Sequence, residues 1–413
     1  MATSTQNLQE AFLEWMAQAK ATKEDFIVLM IQRIIQEASV RRASDVHFQP
    51  SRTGVDVRMR LDGVLYSIGV LPLENVQQIA ARIKILANLT TYKTDEPQEG
   101  RIRKGQIQFV DRDIRISTAP SLYGERIVGR FFSEGNRFLL PIELGFSPHI
   151  LKELSHAIQK NSGAILVTGP AGNGKTTTTC ALLRALVQQQ GESKNVVRSI
   201  ISLEDPIEYA VDGVAQMELS RSGETTLDRL IRYLLRQDPD VIMVGEIRDK
   251  ETAEAALQAA LTGHLLISTF HASSAAGALC RLLELGIEPF TIRSSVSHIL
   301  CQRLVRKLCT CAKKTTASRA INILGQTYRL DSWYEAAGCP KCNGTGYVGR
   351  FLVAESLPLN SESMSNAILD RKEAKVVQKI AAECGMVSLG DAAVQLIHEG
   401  KTSPIEVLRV LGG

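Results

Sequence analysis

The chain has 413 residues, of which 44% are apolar and 22% are charged, and its formal net charge at pH 7 is +4. This composition excludes a disordered or fibrous protein and is typical of two or three globular domains. Basic and acidic residues are interspersed, so the charge alone does not indicate nucleic-acid binding, although it is compatible with an anionic membrane surface or an acidic partner. No apolar run reaches the ~20 residues that a bilayer span needs, and no signal pattern opens the chain, so we expect a cytoplasmic protein.

Two amphipathic helices are predicted at the start of the chain. Leu8, Phe12, Trp15 and Met16 share one helical stripe, and the same period recurs from residue 27 to residue 38. The first helix either packs on its own domain or docks on a partner, and the sequence leaves both alternatives open.

Short strands separated by turn residues follow these helices. We predict them at Val46–Phe48, Val55–Leu61, Val64–Ile68, Ile107–Val110 and Ile114–Ser117. Together they indicate a small α+β domain that ends near residue 130. The segment after it shows neither the helical nor the strand period and is the best candidate for a linker.

From about residue 145, apolar strands alternate with longer helical segments. The strands are predicted at Ala164–Thr168, Val197–Leu203, Val241–Val244 and Leu265–Thr269. Such alternation indicates an α/β fold with a parallel sheet covered on both faces, and it places ligands at the carboxyl ends of the strands. The chemistry should therefore lie at that edge of the sheet.

A phosphate-binding P-loop follows the first of these strands and precedes a helix-compatible stretch. Its residues are Gly169, Pro170, Ala171, Gly172, Asn173, Gly174, Lys175 and Thr176, with Thr177 opening the helix. The glycines let backbone N–H groups turn toward a polyphosphate, Lys175 reaches the β- and γ-phosphates, and the Thr176 hydroxyl binds Mg²⁺. The helix adds its N-terminal dipole. The sequence therefore predicts a working nucleotide site.

Polar residues stand at the ends of the other core strands. Glu204 and Glu246 each follow a strand, and His264 and His271 frame the last one. Phosphoryl transfer needs a metal, a polarised water and positive charge near the phosphate oxygens. Glu246 is the best candidate to hold water and Mg²⁺, and Glu204 is the next. A single strand-end carboxylate is usually a cap or a surface charge, but three strand ends converging on one P-loop favour catalysis.

These motifs resemble those of the secretion ATPases of type II secretion and type IV pilus systems. Residues 200–209 are similar to the aspartate box of that family, and residues 262–272 are similar to its histidine box. Residues 236–249 resemble its Walker B segment, in which Gly245 stands where most P-loop enzymes have Asp. Residues 43–50 and 58–63 match its N-terminal domain, and the resemblance covers about residues 24 to 413.

The resemblance implies a RecA-like P-loop ATPase domain preceded by a smaller α+β, PAS-like domain and followed by a cysteine module and helices. The segments it predicts are an N-terminal helix or docking segment (1–23), the small domain (24–132), a linker (133–144), the ATPase domain (145–303), the cysteine module (304–350) and a C-terminal helical region (351–413).

Roles for the site residues also follow from the resemblance. Lys175 and Thr176 take the phosphates and Mg²⁺ of ATP, Glu204 and Glu246 serve metal, water and catalysis, and His264 and His271 sense the γ-phosphate, with a structural role as their alternative. Arg101, Arg115 and Arg126 are expected to close over the nucleotide, because arginine stays charged and its planar fork matches phosphate oxygens. Each arginine is otherwise a solvated surface charge.

Four late cysteines suggest a metal site. Cys339 and Cys342 form a Cys-x-x-Cys turn that is a strong zinc half-site. The second half, Cys309 and Cys311, is one residue shorter than the family usually has, which strains chelation of one ion. We predict a structural Zn²⁺ at these four residues, with free thiols as the alternative. Cys180, Cys280, Cys301 and Cys384 are predicted to be core residues.

The function implied by the resemblance is a homohexameric ATPase that powers assembly of a type IV pilus or a type II secretion pseudopilus. It would act at the cytoplasmic face of the bacterial inner membrane with a platform protein and a recruitment protein, without direct nucleic-acid contact. A pilus-retraction ATPase is the main alternative, and the cysteine module argues against it because the retraction type lacks that module. A nucleic-acid translocase and an ATP-binding regulatory subunit are alternatives of other classes.

Overall fold

The computed structural model describes residues 8–21, 25–132, 140–192, 197–219 and 226–412. The chain divides into two compact units. The first unit contains Met1–Glu134, Leu308–Lys313 and Glu335–Gly349, and the second contains Gly135–Lys307, Lys314–Tyr334 and Arg350–Gly413. Residues 133–139 of the predicted linker are outside the part of the chain that the structure describes.

The first unit is built on an antiparallel sheet with helices packed against it. Its strands are β1 (Asp45–Ser51), β2 (Gly54–Leu61), β3 (Val64–Leu71), β4 (Gln98–Ile102), β5 (Ile114–Ser121) and β6 (Gly124–Phe131). Its helices are α1 (Leu8–Ala21), α2 (Phe26–Val40) and α3 (Val76–Leu86). The strand order is β3-β2-β1-β6-β5-β4. One face of each strand alternates into the core, which is the pattern expected for a half-buried antiparallel sheet.

The apolar stripe of α1 is buried within its own unit. Leu8, Phe12 and Trp15 are at most 5% exposed. The Phe12 ring fills the space above Gly69 of β3, where an added Cβ would lie 2.1 Å from the ring. The Arg33 guanidinium of α2 stacks over the Trp15 ring at 5.7 Å. These contacts favour packing over docking for this stripe.

One predicted strand of the first unit is wrong, because residues 107–110 form a turn. Ile107 and Val110 are buried, which produced the strand-like apolar pattern. Their backbone bonds are local, however, since the Val110 N–H donates to the Ile107 oxygen at 3.1 Å. Phe109 adopts a left-handed φ of 62°, which a strand does not contain. The other predicted strands lie within β1, β2, β3 and β5.

The second unit contains the predicted parallel sheet. Its elements up to residue 308 are α4 (Pro148–Gln159), β7 (Gly163–Thr168), α5 (Lys175–Glu192), β8 (Ile200–Glu204), β9 (Ala215–Glu218), α6 (Leu227–Leu234), β10 (Val241–Val244), α7 (Lys250–Leu261), β11 (Leu265–Phe270), α8 (Ala275–Glu284), α9 (Pro289–Ser295) and β12 (Val296–Leu308). The predicted α/β fold is confirmed. None of the helices that the structure describes has both the length and the apolar character that a bilayer crossing requires.

The carboxyl ends of four neighbouring strands meet at one edge of this sheet. β7, β11, β10 and β8 pair in parallel, in that order. Thr168 lies opposite Phe270, and Val244 lies opposite both Ser268 and Leu203. All residues of β7, β10 and β11 are buried, as expected for strands covered on both faces. The residues that directly follow these four strands therefore lie close together at this edge of the sheet.

Beyond residue 308 the chain forms strands before its last helices, and one of these strands includes residues 351–358, which were predicted to belong to the helical region. It forms the hairpin of β13 (Lys313–Ile323) and β14 (Gln326–Glu335), then β15 (Tyr347–Pro358), and then helices α10 (Glu362–Leu369), α11 (Ala374–Glu383), α12 (Leu389–His398) and α13 (Pro404–Leu411). The seven-stranded sheet has the order β15-β12-β7-β11-β10-β8-β9. Residues 353–357 are buried throughout, and a buried run this short does not distinguish a strand from a helix by periodicity.

One carboxylate of β15 joins the starts of two helices. Glu355 is 1% exposed, and its oxygens accept the N–H of Ala275 at 2.7 Å and the N–H of Leu389 at 3.1 Å. These are the first residues of α8 and α12, whose free N–H groups need acceptors. Burial raises the pKa of Glu355, and these backbone donors oppose the increase.

Candidate active site

The P-loop has the backbone geometry that a phosphate cradle requires. It leaves β7 after Thr168 and enters α5 at Lys175. Gly169, Gly172 and Gly174 have φ values of 146°, 76° and 79°, which side chains other than glycine rarely adopt. The turns at these glycines bring the loop to the N-terminus of α5, where an anion is favoured. Thr176 and Thr177 lie in the first turn of that helix.

Lys175 is held against its own loop. Its Nζ donates to the Gly169 oxygen at 2.8 Å and to the Pro170 oxygen at 3.3 Å, and the residue is 9% exposed. Burial lowers the pKa of Lys175, the negative charge of Glu246 opposes this, and the nearby Arg303 guanidinium adds to it. The Lys175 ammonium therefore has backbone oxygens of its own loop as hydrogen-bond partners.

Glu246 follows β10 and is the centre of a small charged group. Arg248 donates from Nε to its Oε2 at 2.6 Å, and the Nε2 of His271 contacts its Oε1. The hydrogen bond to Glu246, with its charge, raises the pKa of Arg248. His271 comes directly after β11, so its position next to Glu246 follows from the parallel pairing of β10 and β11. The structure thus brings both residues to the P-loop edge of the sheet.

Gly245 lets the backbone after β10 run close to both neighbouring strands, β8 and β11. Its N–H donates to the Leu203 oxygen at 2.8 Å, and its own oxygen accepts the Thr269 hydroxyl at 2.6 Å. A Cβ at position 245 would lie 3.3 Å from the Leu203 oxygen, which is tighter than most contacts of this kind. A side chain at the usual Walker B aspartate position would therefore crowd β8.

Glu204 is a buried and fixed carboxylate at the end of β8. It is 3% exposed, and its Oε1 accepts the Ser202 hydroxyl at 2.7 Å and the Gln216 amide at 2.9 Å. Burial raises the pKa of Cys180 in α5 to about 12, with a further contribution from the charge of Glu204. Glu204 therefore lies near the helix that carries the P-loop lysine.

His264 lies at the opposite end of β11 from His271, away from the edge that carries the P-loop. It precedes β11, and its own backbone oxygen accepts the N–H of Gly163 at the start of β7. Its Nδ1 lies 2.9 Å from the Ala259 oxygen, so this nitrogen carries the hydrogen and donates near the end of α7. Amino and carboxyl ends of a six-residue strand are about 20 Å apart. The structural alternative for His264 is therefore favoured.

Sequence reasoning missed two buried polar residues of β12 beside the P-loop. Gln302 is 0% exposed and Arg303 is 5% exposed. The Arg303 guanidinium donates to the oxygens of Gln302 and Ser273, at 2.9 and 2.6 Å, so it ties β12 to the loop that follows His271. The available signal was a Gln-Arg pair flanked on both sides by apolar residues, Leu300 and Cys301 before it and Leu304 and Val305 after it.

The three predicted arginines lie on the sheet of the first unit. Arg101 contacts Asp113 and stacks over the Phe132 ring at 4.9 Å. Arg115 lies opposite Arg101 in the register and donates to Glu99 at 2.7 Å. Arg126 is exposed and lies opposite Ala119, away from that pair. All three side chains therefore occupy the face of the sheet that its core does not use.

The four late cysteines converge in the first unit, as predicted. The sulfur atoms of Cys309, Cys311, Cys339 and Cys342 all lie within 4.8 Å of one another. The Cys309–Cys339, Cys311–Cys342 and Cys339–Cys342 sulfur distances are 3.7, 3.9 and 3.7 Å. Four sulfurs bound tetrahedrally at 2.3 Å would be about 3.8 Å apart. The short Cys-x-Cys spacing is therefore compatible with one Zn²⁺.

The backbone near the cluster is also suited to thiolates. The N–H groups of Cys339 and Gly346 lie 3.1 Å from the Cys342 sulfur. Such donors stabilise negative charge on sulfur. Of the other cysteines, Cys180 and Cys301 are buried, as predicted, whereas Cys384 is exposed because it ends α11 at the surface.

Comparison with known proteins places these features in a family. A profile of the type II/IV secretion system protein family matches residues 20–409. The chain is 36% identical over 383 residues to the type IV pilus assembly ATPase PilB of Thermus thermophilus, covering 92% of this chain and 42% of that protein. It is 38% identical to the type II secretion system ATPase E of Vibrio cholerae, covering 93% of this chain and 75% of that protein.

Solved structures share the fold. The Legionella pneumophila ATPase DotB superposes with a TM-score of 0.68 at 20% identity, covering 92% of this chain and 94% of that one. The pilus retraction motor PilT with bound ADP superposes with a TM-score of 0.58 at 24% identity, covering 92% of this chain and 96% of that one. At these identities the similarity establishes the architecture alone.

Proposed function

This chain belongs to the type II/IV secretion system protein family, and on that premise we propose that it is a homohexameric ATPase that powers assembly of a type IV pilus or a type II secretion pseudopilus. ATP hydrolysis would be coupled to domain motion. The observation that carries the proposal is the convergence of Lys175, Glu246 and His271 at the carboxyl ends of adjacent parallel strands.

The proposed chemistry assigns one task to each group. Residues 169–177 and Lys175 bind the phosphates of ATP, and Thr176 and Glu246 hold Mg²⁺. Glu246 also orients the attacking water, while His271, its neighbour, responds to the γ-phosphate. Glu204 supports the metal or a water from a fixed position. His264 is left out, because it lies at the amino ends of the strands.

The exposed arginines of the first unit are the second element of the proposal. Arg101, Arg115 and Arg126 would meet phosphate oxygens when ATP is bound, which stabilises the charge that develops during transfer. Loss of the γ-phosphate removes these contacts, and a contact that exists only with ATP is what couples hydrolysis to motion. Their position on one unused sheet face supports this role.

The cysteine cluster supports assembly over retraction. A Zn²⁺ held by four protein thiolates has no open position for catalysis, so its role would be to fold and fasten residues 308–313 and 335–349. By family resemblance the retraction type lacks this module. We further propose action at the cytoplasmic face of the inner membrane, with a platform protein and a recruitment protein as partners.

The decisive experiment compares the purified full-length protein with its Glu246→Gln variant. We expect the wild type to form hexamers by light scattering and to release phosphate from ATP. The variant should bind ADP but lose turnover by about a hundredfold or more. In the organism that encodes the chain, the same substitution should abolish surface pili or pseudopilus-dependent secretion.

Each alternative predicts a different result. ATP binding by the wild type without hydrolysis would indicate a regulatory subunit. Steeply salt-dependent DNA binding would indicate a translocase. Pili that still assemble but no longer retract would identify a retraction motor.

A further inference from the structure

Two carboxamide side chains fasten the P-loop to the neighbouring strand β12. Gln302 of β12 is 0% exposed, and its Nε2 donates to the Asn173 backbone oxygen at 2.7 Å. Its Oε1 accepts the Thr178 hydroxyl of α5 at 2.9 Å. One buried side chain therefore connects the strand, the loop and the first turn of the helix.

The Asn173 side chain makes the return connection. Its Oδ1 accepts the N–H of Leu304 at 2.9 Å, and its Nδ2 lies 3.3 Å from the Pro170 oxygen and 3.4 Å from the Ala171 oxygen. The amide orientation is assigned by these partners, because a backbone N–H only donates and a backbone oxygen only accepts. Asn173 thus closes the loop on itself and ties it to β12.

The anchoring strand is itself fixed at this point. A Cβ at Gly169 would lie 2.6 Å from the backbone oxygen of Gln302, so the first residue of the loop also contacts β12. Arg303 donates to that same oxygen at 2.9 Å. Residues 302–304 consequently act as a rigid template along one side of the P-loop.

We propose that Asn173 and Gln302 are positioning residues that hold the P-loop in its phosphate-binding shape before a nucleotide arrives, an inference that rests on the nucleotide site proposed above. A glycine-rich loop has many accessible backbone conformations, and ordering each residue has an entropic cost. If the loop is ordered on folding, that cost no longer weakens binding. Neutral amides suit this task, since a carboxylate here would repel a polyphosphate.

The test measures ADP affinity by calorimetry and steady-state ATP hydrolysis in the full-length protein. We expect Gln302→Ala and Asn173→Ala each to raise the ADP Kd and the KM for ATP by about tenfold, with kcat changed by less than about twofold. The double variant should lose little more than the weaker-binding single variant, because both substitutions break the same connection. Gln302→Glu should bind ADP no better than Gln302→Ala, because it retains the shape but replaces the donor that faces the Asn173 oxygen.

Thr402→Val is the matched control. The hydroxyl of the buried Thr402 donates to the backbone oxygen of Arg306 at 2.8 Å. Arg306 belongs to β12, as Gln302 does, but this bond does not involve the P-loop. This variant should lower the unfolding temperature and leave the ADP Kd unchanged. If Gln302→Ala lowers the unfolding temperature in the same way and leaves both Kd and KM unchanged, the proposal is overturned.

Two further outcomes leave the role of the two amides testable. If Gln302→Ala does not fold, the half-buried Asn173 carries the same comparison through Asn173→Ala. If the wild type binds ADP but does not hydrolyse ATP, the proposed function fails, and calorimetry alone still decides whether the two amides preorganise the loop.

Discussion

The P-loop edge of the second unit and the cysteine cluster of the first unit are assembled in opposite ways. The P-loop edge collects residues from four strands, and its charged groups are already engaged with each other or with backbone, as Lys175 is with Gly169 and Glu246 is with Arg248. The cysteine cluster comes from two short turns, and its sulfurs already have the spacing of a zinc site. In the function proposed above, the P-loop edge would exchange these partners for a nucleotide, which suits turnover. The cysteine cluster would bind Zn²⁺ without such an exchange, which suits a permanent structural role.

The largest expected effect comes from a substitution at the P-loop edge, which should change the nucleotide site and leave the cysteine cluster intact. Lys175→Ala removes the cation that faces the phosphates, so we expect ATP hydrolysis to fall by about a thousandfold. Phosphate release measures this loss. Zinc content, measured by mass spectrometry on the same sample, should stay at one ion per chain. Hydrolysis above a tenth of the wild-type rate would contradict the role given to Lys175.

The second prediction addresses the metal side. Cys339→Ser removes one of four ligands, so we expect zinc to be lost and the free energy of unfolding to fall by about 3 kcal/mol. Urea denaturation with and without a chelator checks this, since the chelator should destabilise the wild type and should not destabilise Cys339→Ser. Cys384→Ser at the exposed cysteine is the control and should change neither quantity. A chelator-insensitive wild type would favour free thiols.

The third prediction concerns the scaffold of the second unit rather than either site. Burial lowers the pKa of His298 to about 4, with help from the charges of Lys160 and His149. Below pH 6.5 the unfolded chain gains a proton that the folded chain resists, so stability falls as the pH drops toward 4. Between pH 7.5 and pH 5 the loss from this group should be about 2 kcal/mol.

Urea denaturation at both pH values measures it. His298→Gln should have a shallower pH dependence by that amount, whereas His156→Gln at an exposed histidine should behave like the wild type. Equal slopes for wild type and His298→Gln would contradict the assignment.

The smallest effect tests whether the first unit contributes to the nucleotide side at all. Arg126→Ala should lower kcat by about tenfold and leave the free energy of unfolding within about 0.5 kcal/mol, because its side chain is exposed. Arg319→Ala, an exposed arginine on β13, serves as control and should leave kcat unchanged. If the two variants hydrolyse ATP equally fast, Arg126 is a solvated surface charge.

Much of the nucleotide site was readable from the sequence, because strand-end residues of a parallel sheet share one edge. That rule placed Glu204, Glu246 and His271 correctly relative to the P-loop. The expected role of His264 came from the family resemblance instead, and the same rule places this residue at the opposite edge of the sheet, because it precedes β11. One histidine precedes β11 and the other follows it, and the length of the strand separates them.

The residues that shape the loop could not be predicted in this way. Gln302 and Asn173 meet through the pairing of β7 with β12, strands that are more than a hundred residues apart in the chain. Sequence periodicity specifies which residues are buried, but it does not specify which strand becomes the neighbour. The strand predicted at Ile107–Val110 was wrong for a related reason. Two apolar residues that a turn buries in the core give the same sequence pattern as a short strand.

The double helix-capping by Glu355 has a mechanical consequence. Helix α8 begins shortly after the loop that carries His271, and α12 belongs to the C-terminal helices. Because one buried side chain bonds the first residue of each, the two helix starts are kept at a fixed separation. A displacement of the loop that carries His271 would therefore also move the start of α12, because Glu355 is bonded to both helix starts.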